Sequence, residues 1–184
     1  WSFILGLAVL GWTLATECGG RTLAVAGALV TCIVAYNAWL KSFDVAGSMA
    51  MGACRGANIL MGLSLGEIIP PEGWIIVGLS TAFVCGLTLF STSEERPEAL
   101  AGMAGMVVMW MALVAACAFC FREAIWEWWV VPGAVMVGVM GWLTIQRWNR
   151  SLEKRIIGRW VGRLVKHLGT WDAVWVGAFV GGPN

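Results

Sequence analysis

Apolar runs of about 20 residues recur along nearly the whole chain, and short polar or Gly/Pro segments separate them. About 20 apolar residues are needed to cross a hydrocarbon core roughly 30 Å thick. In lipid a single segment satisfies its own backbone hydrogen bonds by forming an α-helix. The sequence therefore predicts an all-α integral membrane protein, with one transmembrane helical domain over residues 1–184. We expect about seven spans, at residues 1–15, 22–40, 46–65, 74–90, 99–119, 125–145 and 161–180.

Composition points away from a soluble protein. Hydrophobic residues make up 59% of the chain and charged residues only 12%, far from the balance of an ordinary soluble domain. The formal net charge is +1, so nothing favours a nucleic acid as partner. Membrane lipids are the expected surroundings.

Positive charge is concentrated in one segment, residues 146–160, between the last two predicted spans. If every span crosses once, this segment shares a side with Lys41 and with Glu94–Glu98. The positive-inside rule places that side in the cytoplasm, and we expect a bacterial inner membrane. The segment fits two interpretations, an anchor beside anionic lipid or a basic rim that attracts a diphosphate.

Ionisable and polar groups at membrane depth are costly, so each is a candidate for function. Tyr36 and Lys41 fall near the end of the second predicted span, where the ammonium could bind a phosphate and the phenol could donate to its oxygen. The alternative is an aromatic and lysine anchor at the membrane interface.

Arg55 lies inside the third predicted span, and Asn58 follows it on the same helix face. A guanidinium at this depth needs a carboxylate, carbonyls or a ligand phosphate as partner. Either a ligand site or a structural arginine explains the pair.

Glu94 and Glu98 belong to an acidic stretch between the fourth and fifth predicted spans. Carboxylates four residues apart on a helix can converge on a hard cation, and Mg²⁺ commonly bridges one or two carboxylates to a substrate phosphate. The alternative is a charged loop whose acids are stabilised at a helix start.

Three segments carry a resemblance to a known family. These are AYNAWLKSFDVAGSMAMGACRGANILMG at 35–62, GLTLFSTSEERPEA at 86–99 and VGRLVKHLGTWDAVWVGAFVGG at 161–182. Together they resemble the UbiA-superfamily intramembrane prenyltransferases, of the 4-hydroxybenzoate polyprenyltransferase kind. The specific part is the Met-Gly-x-Cys-Arg helix around Arg55.

The resemblance implies a nine-helix bundle in which two helices and a first Asp-rich motif precede Trp1. It also implies Mg²⁺ held against an isoprenoid diphosphate, with the isoprenoid passed to an aromatic or other lipophilic acceptor. On that basis the diphosphate would be bound by the four residues Tyr36, Lys41, Arg55 and Asn58, and the metal by Glu94 and Glu98. One departure is Asn37, which stands where the most similar branch has an aspartate.

Two other functions fit the same sequence. The chain could be a non-catalytic structural subunit of a larger membrane complex, such as a photosynthetic or respiratory assembly, since 13 tryptophans and nine methionines offer extensive apolar surface. It could also be a lipid-, quinone- or pigment-binding membrane protein without Mg²⁺. We expect Mg²⁺ as cofactor only if the chain is catalytic.

Overall fold

The structure is a computed structural model, and it describes residues 19–66, 68–91, 100–122, 135 and 137–142. Within these residues the secondary structure is helical and contains no strand. The helices are α1 (Gly20–Ala38), α2 (Asp44–Leu63), α3 (Pro71–Ser91) and α4 (Leu100–Arg122), with a short 3₁₀ helix at Leu40–Ser42. Residues 137–142 are also helical.

The helix boundaries follow local chemistry. Proline is well suited to the first turn of a helix because the amide it lacks has no partner there, and Pro71 opens α3. Acidic side chains favour the positive end of the helix dipole, and Asp44 and Glu72 lie in the first turns of α2 and α3. Arg122 complements the dipole in the last turn of α4.

Successive helices pack against one another in chain order and run antiparallel. The start of α1 meets the end of α2, where the Thr22 hydroxyl donates to the Ser64 carbonyl oxygen at 3.0 Å. The Ser64 hydroxyl in turn donates to Thr22 Oγ1 at 3.0 Å. Both residues are buried, so these bonds join the α1–α2 hairpin at its open end.

Glycines allow α2 and α3 to approach closely. A Cβ on Gly52 would lie 2.6 Å from the Thr81 carbonyl oxygen and 3.1 Å from Cys85 Cβ, and a Cβ on Gly56 would collide with Thr81 Oγ1. From Gly52 to Gly56 of α2, the contact residue on α3 changes from Cys85 to Thr81, as expected for antiparallel helices. Small residues at four-residue spacing are how membrane helices gain packing contacts without a hydrophobic drive.

The backbones of α3 and α4 also approach closely. A Cβ on Gly105 would lie 2.5 Å from both the Gly86 carbonyl oxygen and the Phe90 amide nitrogen. Around this crossing lies the hydrophobic core, which includes Phe83, Leu113 and Met140. Met140 belongs to the helical residues 137–142, so that segment shares the core of α3 and α4.

Three of the helices are long and apolar enough to cross a membrane, namely Gly20–Ala38, Pro71–Ser91 and, within α4, Leu100–Cys120. They are consistent with an integral membrane protein. The third predicted span, 46–65, forms a helix of sufficient length, α2, but it is not among these three. Its polar residues, described below, lower its hydropathy.

Several sequence predictions lie outside the described residues. These are the spans 1–15 and 161–180 and the basic segment 146–160, while span 125–145 is described only at 135 and 137–142. The count of seven spans therefore stays a prediction.

Candidate ligand site

The turn between α1 and α2 presents Lys41 at one end of the helices. Lys41 is exposed and belongs to the 3₁₀ helix. The turn rests on the start of α2, because a Cβ on Gly47 would lie 2.8 Å from the Leu40 carbonyl oxygen and 3.3 Å from Lys41 Cα. Glycine at 47 therefore permits this turn to pack against α2 and fixes the position of Lys41.

One face of α2 carries most of its polar side chains. Asp44, Ser48, Arg55 and Asn58 follow a spacing of four, seven and three residues, which keeps them on one side of a helix. Along this face Asp44 is half-buried, Ser48 is buried, Arg55 is half-buried and Asn58 is exposed. We call this set the α2 polar face.

The α2 polar face leads from the Lys41 turn into the middle of the bundle. Because Lys41 Cα lies beside Gly47, Arg55 is eight residues further along α2, or about 12 Å at 1.5 Å per residue. Side chains on a helix lean toward its N-terminus, so Arg55 leans toward Lys41. Two cations therefore flank the first half of this face.

The remaining predicted ligands of a diphosphate lie at different depths. Tyr36 is half-buried in the last turn of α1, close in sequence to the Lys41 turn. Asn58 lies one turn beyond Arg55 and is exposed. Asn37, also exposed, donates its side-chain amide to the Ile33 carbonyl oxygen of its own helix at 2.9 Å, so this donor is already engaged.

The predicted metal ligands Glu94 and Glu98 lie outside the described residues. The end of α3 that precedes them is described, and it lies at the Lys41 end of the bundle. The pairing of Gly52 with Cys85 and of Gly56 with Thr81 puts Ser91 level with the start of α2. Among the described residues, no group of three or more His, Cys, Asp or Glu side chains could hold a metal ion.

The serine and threonine hydroxyls of the described helices each have a hydrogen-bond acceptor, with Ser80 as the one exception. Thr31, Ser48, Thr81 and Thr88 each donate to the carbonyl oxygen four residues earlier, at 2.6–2.9 Å. Ser80 does not. It is only 3% exposed, and its Oγ atom is buried without a hydrogen-bond partner among the described residues. A buried polar atom without a partner is rare and calls for an explanation.

Sequence reasoning singled out Arg55 and Asn58 as candidates but did not single out Asp44, Ser48 or Ser80. The signal for Asp44 and Ser48 was present in the sequence, as their spacing to Arg55 continues one helix face. No sequence signal distinguishes Ser80 from Thr81, because the difference lies in which neighbours surround each hydroxyl.

Comparison with protein-family models, with curated proteins and with solved structures finds no match to this chain. The candidate site therefore stands on its own residues and their arrangement.

Proposed function

We propose that this chain binds an isoprenoid diphosphate in the membrane and transfers the isoprenoid to an aromatic or other lipophilic acceptor. The observation that carries the proposal is the α2 polar face, which leads from the exposed Lys41 to the half-buried Arg55 beside strongly apolar helices. An amphipathic ligand with a charged head and a lipid-soluble tail matches this combination.

The roles of the two cations follow from their chemistry. Lys41 supplies a compact point charge at the bundle end, and Arg55 supplies a planar fork of donors suited to phosphate oxygens. Both stabilise negative charge that develops on a departing diphosphate. Tyr36 and Asn58 provide neutral hydrogen-bond donors on either side of them.

Three carboxylates are candidate ligands of a hard cation. Asp44 lies at the start of α2, and Glu94 follows Ser91, which the helix pairing places at that level. With Glu98, these oxygen ligands are of the type that Mg²⁺ prefers. When bound there, Mg²⁺ supplies charge neutralisation at the diphosphate.

The test measures diphosphate release from farnesyl diphosphate by the purified protein in lipid nanodiscs with Mg²⁺. We expect Arg55→Gln to lower the rate about 10- to 100-fold, because a hydrogen bond to a charged group contributes about 1.5–3 kcal/mol. Arg21→Gln is the matched control, since Arg21 is an exposed arginine at the opposite end of α1. An unchanged rate in Arg55→Gln would contradict the proposal.

The metal ligands have a separate test in the same assay. Glu94→Gln combined with Glu98→Gln is expected to abolish the Mg²⁺-dependent rate, and chelation of Mg²⁺ is expected to match it. If the double variant released diphosphate as fast as the unaltered protein, the assignment of these two ligands would be wrong.

The exposed apolar surface of α1 also fits the alternative of a structural subunit. Helix α1 is largely exposed, including Val30 at 58% and Val34 at 57%, and Trp39 after it is 69% exposed. This surface suits either lipid or a neighbouring membrane protein. A structural subunit would co-purify with other membrane proteins in fixed stoichiometry and show no Mg²⁺-dependent turnover. Purification as an active monomer would exclude it.

A further inference from the structure

Ser80 lies on the same side of the α2–α3 pair as Arg55. Gly56 of α2 contacts Thr81 of α3, and the two helices are antiparallel. Arg55 and Ser80 each precede one of these contact residues by one position. Moving one residue toward the N-terminus rotates the side-chain direction by about 100° around the helix axis. Because the two helices are antiparallel, this rotation is clockwise for one helix and anticlockwise for the other when both are viewed from the same end. Because the helices face each other, both turns lead to the same side of the pair.

Arg55 and Ser80 also lie at nearly the same depth. The contacts of Gly52 with Cys85 and of Gly56 with Thr81 fix the register of the two helices. In this register Arg55 is two residues of helix rise from Ser80, about 3 Å. The Arg55 Nε atom is buried although its side chain is partly exposed. A cation and a buried hydroxyl thus share one region.

This side of α3 faces the inside of the bundle. Ser80 is four residues from Ile76 and seven from Leu87, so the three share a helix face. Ile76 and Leu87 are each 3% exposed and belong to the core cluster that contains Met140. The Ser80 hydroxyl is therefore directed into an apolar interior, beyond Arg55 as counted from the Lys41 end.

The energetic cost of burying this hydroxyl without a partner points to an acceptor on a bound molecule. A buried donor without a partner costs about 1–3 kcal/mol, and the carbonyl oxygen of Ile76, four residues earlier, would be the usual acceptor. Thr81, the next residue, uses the corresponding acceptor in Val77 at 2.7 Å. The Ser80 hydroxyl therefore makes no hydrogen bond to its own helix, whereas the hydroxyl of the next residue, Thr81, does.

We propose that the Ser80 hydroxyl donates a hydrogen bond to a neutral oxygen of the lipophilic acceptor, a phenol or quinone oxygen, bound on the Arg55 side of α2 and α3. The chemical class of the acceptor follows from the surroundings of Ser80. A single neutral donor among apolar side chains can hydrogen-bond a carbonyl or hydroxyl oxygen, but it cannot compensate for the cost of removing a charged diphosphate from water. The proposal rests on the proposed function, in which the Lys41 and Arg55 cations bind the diphosphate.

The experiment measures the apparent affinity of the full chain in nanodiscs for two probes, decylubiquinone and farnesyl diphosphate. Binding is followed through the rise in the thermal unfolding midpoint, read by tryptophan fluorescence. We expect Ser80→Ala to weaken decylubiquinone binding about tenfold and to leave farnesyl diphosphate binding unchanged. Thr88→Val is the matched control on the same helix, because the Thr88 hydroxyl already donates to the Val84 carbonyl oxygen at 2.9 Å and its loss should leave both affinities unchanged.

The outcomes separate this proposal from the proposed function. If farnesyl diphosphate binds while decylubiquinone binds equally well to Ser80→Ala, or not at all, the role of Ser80 is overturned and the proposed function stands. If decylubiquinone binding depends on Ser80 and farnesyl diphosphate does not bind, the role of Ser80 stands and the proposed function fails. If neither probe binds, both are overturned.

Discussion

At the scale of single residues, the buried hydroxyls divide into those that join helices and those that bond within one. Thr22 and Ser64 join α1 to α2 through two hydrogen bonds. Thr22→Val would leave the buried Ser64 carbonyl oxygen without its donor, while the Ser64 hydroxyl keeps the Met61 carbonyl oxygen as an acceptor at 2.7 Å. We therefore expect a loss of about 1–2 kcal/mol in the free energy of unfolding. Thermal unfolding in a fixed detergent measures it.

Thr31→Val is the control for this prediction. The Thr31 hydroxyl is exposed and bonds only to the Gly27 carbonyl oxygen of its own helix at 2.8 Å, so its loss should change stability by less than about 0.5 kcal/mol. Equal effects of the two variants would show that the Thr22–Ser64 bonds do not stabilise the hairpin.

Single residues also show where sequence reasoning ends. Arg55 was singled out because a guanidinium within an apolar run is energetically costly if that run lies in a membrane. Ser80 was not, because serine is common and inexpensive in membrane helices when it bonds to its own backbone. Only the packing of α3 distinguishes its hydroxyl from that of Thr81.

At the scale of helices, the close crossing of α3 and α4 depends on Gly86 and Gly105. A Cβ on Gly105 would meet backbone atoms of α3 at 2.5 Å, and backbone cannot move aside as a flexible side chain can. We expect Gly105→Ala to destabilise the protein by about 1–3 kcal/mol through overpacking. Chemical denaturation in mixed micelles would measure this loss.

Gly78→Ala is the matched variant on α3. Nothing lies within 4 Å of a Cβ at that position, so alanine should stabilise the helix by up to about 1 kcal/mol. The two substitutions add the same methyl group and are expected to act in opposite directions. A loss of stability in Gly78→Ala as large as that in Gly105→Ala would refute the role of the close crossing.

The helices themselves could be predicted from sequence to within a few residues. Predicted span 22–40 corresponds to α1 at Gly20–Ala38, and predicted span 74–90 to α3 at Pro71–Ser91. Length and apolar character suffice for this, because a single segment in lipid can satisfy its backbone hydrogen bonds only by forming a helix. The 3₁₀ helix at Leu40–Ser42 was not predicted, because it depends on Gly47 offering space for the turn.

At the scale of the whole molecule, the helix pairing places the Lys41 turn and the end of α3 together, with Gly66 and Glu72 at the opposite end. This sidedness depends on α2 crossing the membrane. Its two flanking neighbours, α1 and α3, are both apolar enough to cross, and α2 packs between them. A helix with polar side chains can cross when these side chains have partners within the protein, and on α2 Ser48 is buried while Asp44 and Arg55 are half-buried.

Cysteine labelling tests whether α2 crosses. Ser42 and Gly66 are exposed and lie just outside the two ends of α2, so Ser42→Cys and Gly66→Cys are made separately in a chain whose six native cysteines are replaced by alanine. A membrane-impermeant maleimide should label Cys at 42 only from the cytoplasmic side and Cys at 66 only from the other, in vesicles of known orientation. Labelling of both from one side would mean that α2 does not span, and the α2 polar face would then lie open to water at one surface rather than lead a charged ligand into the bilayer.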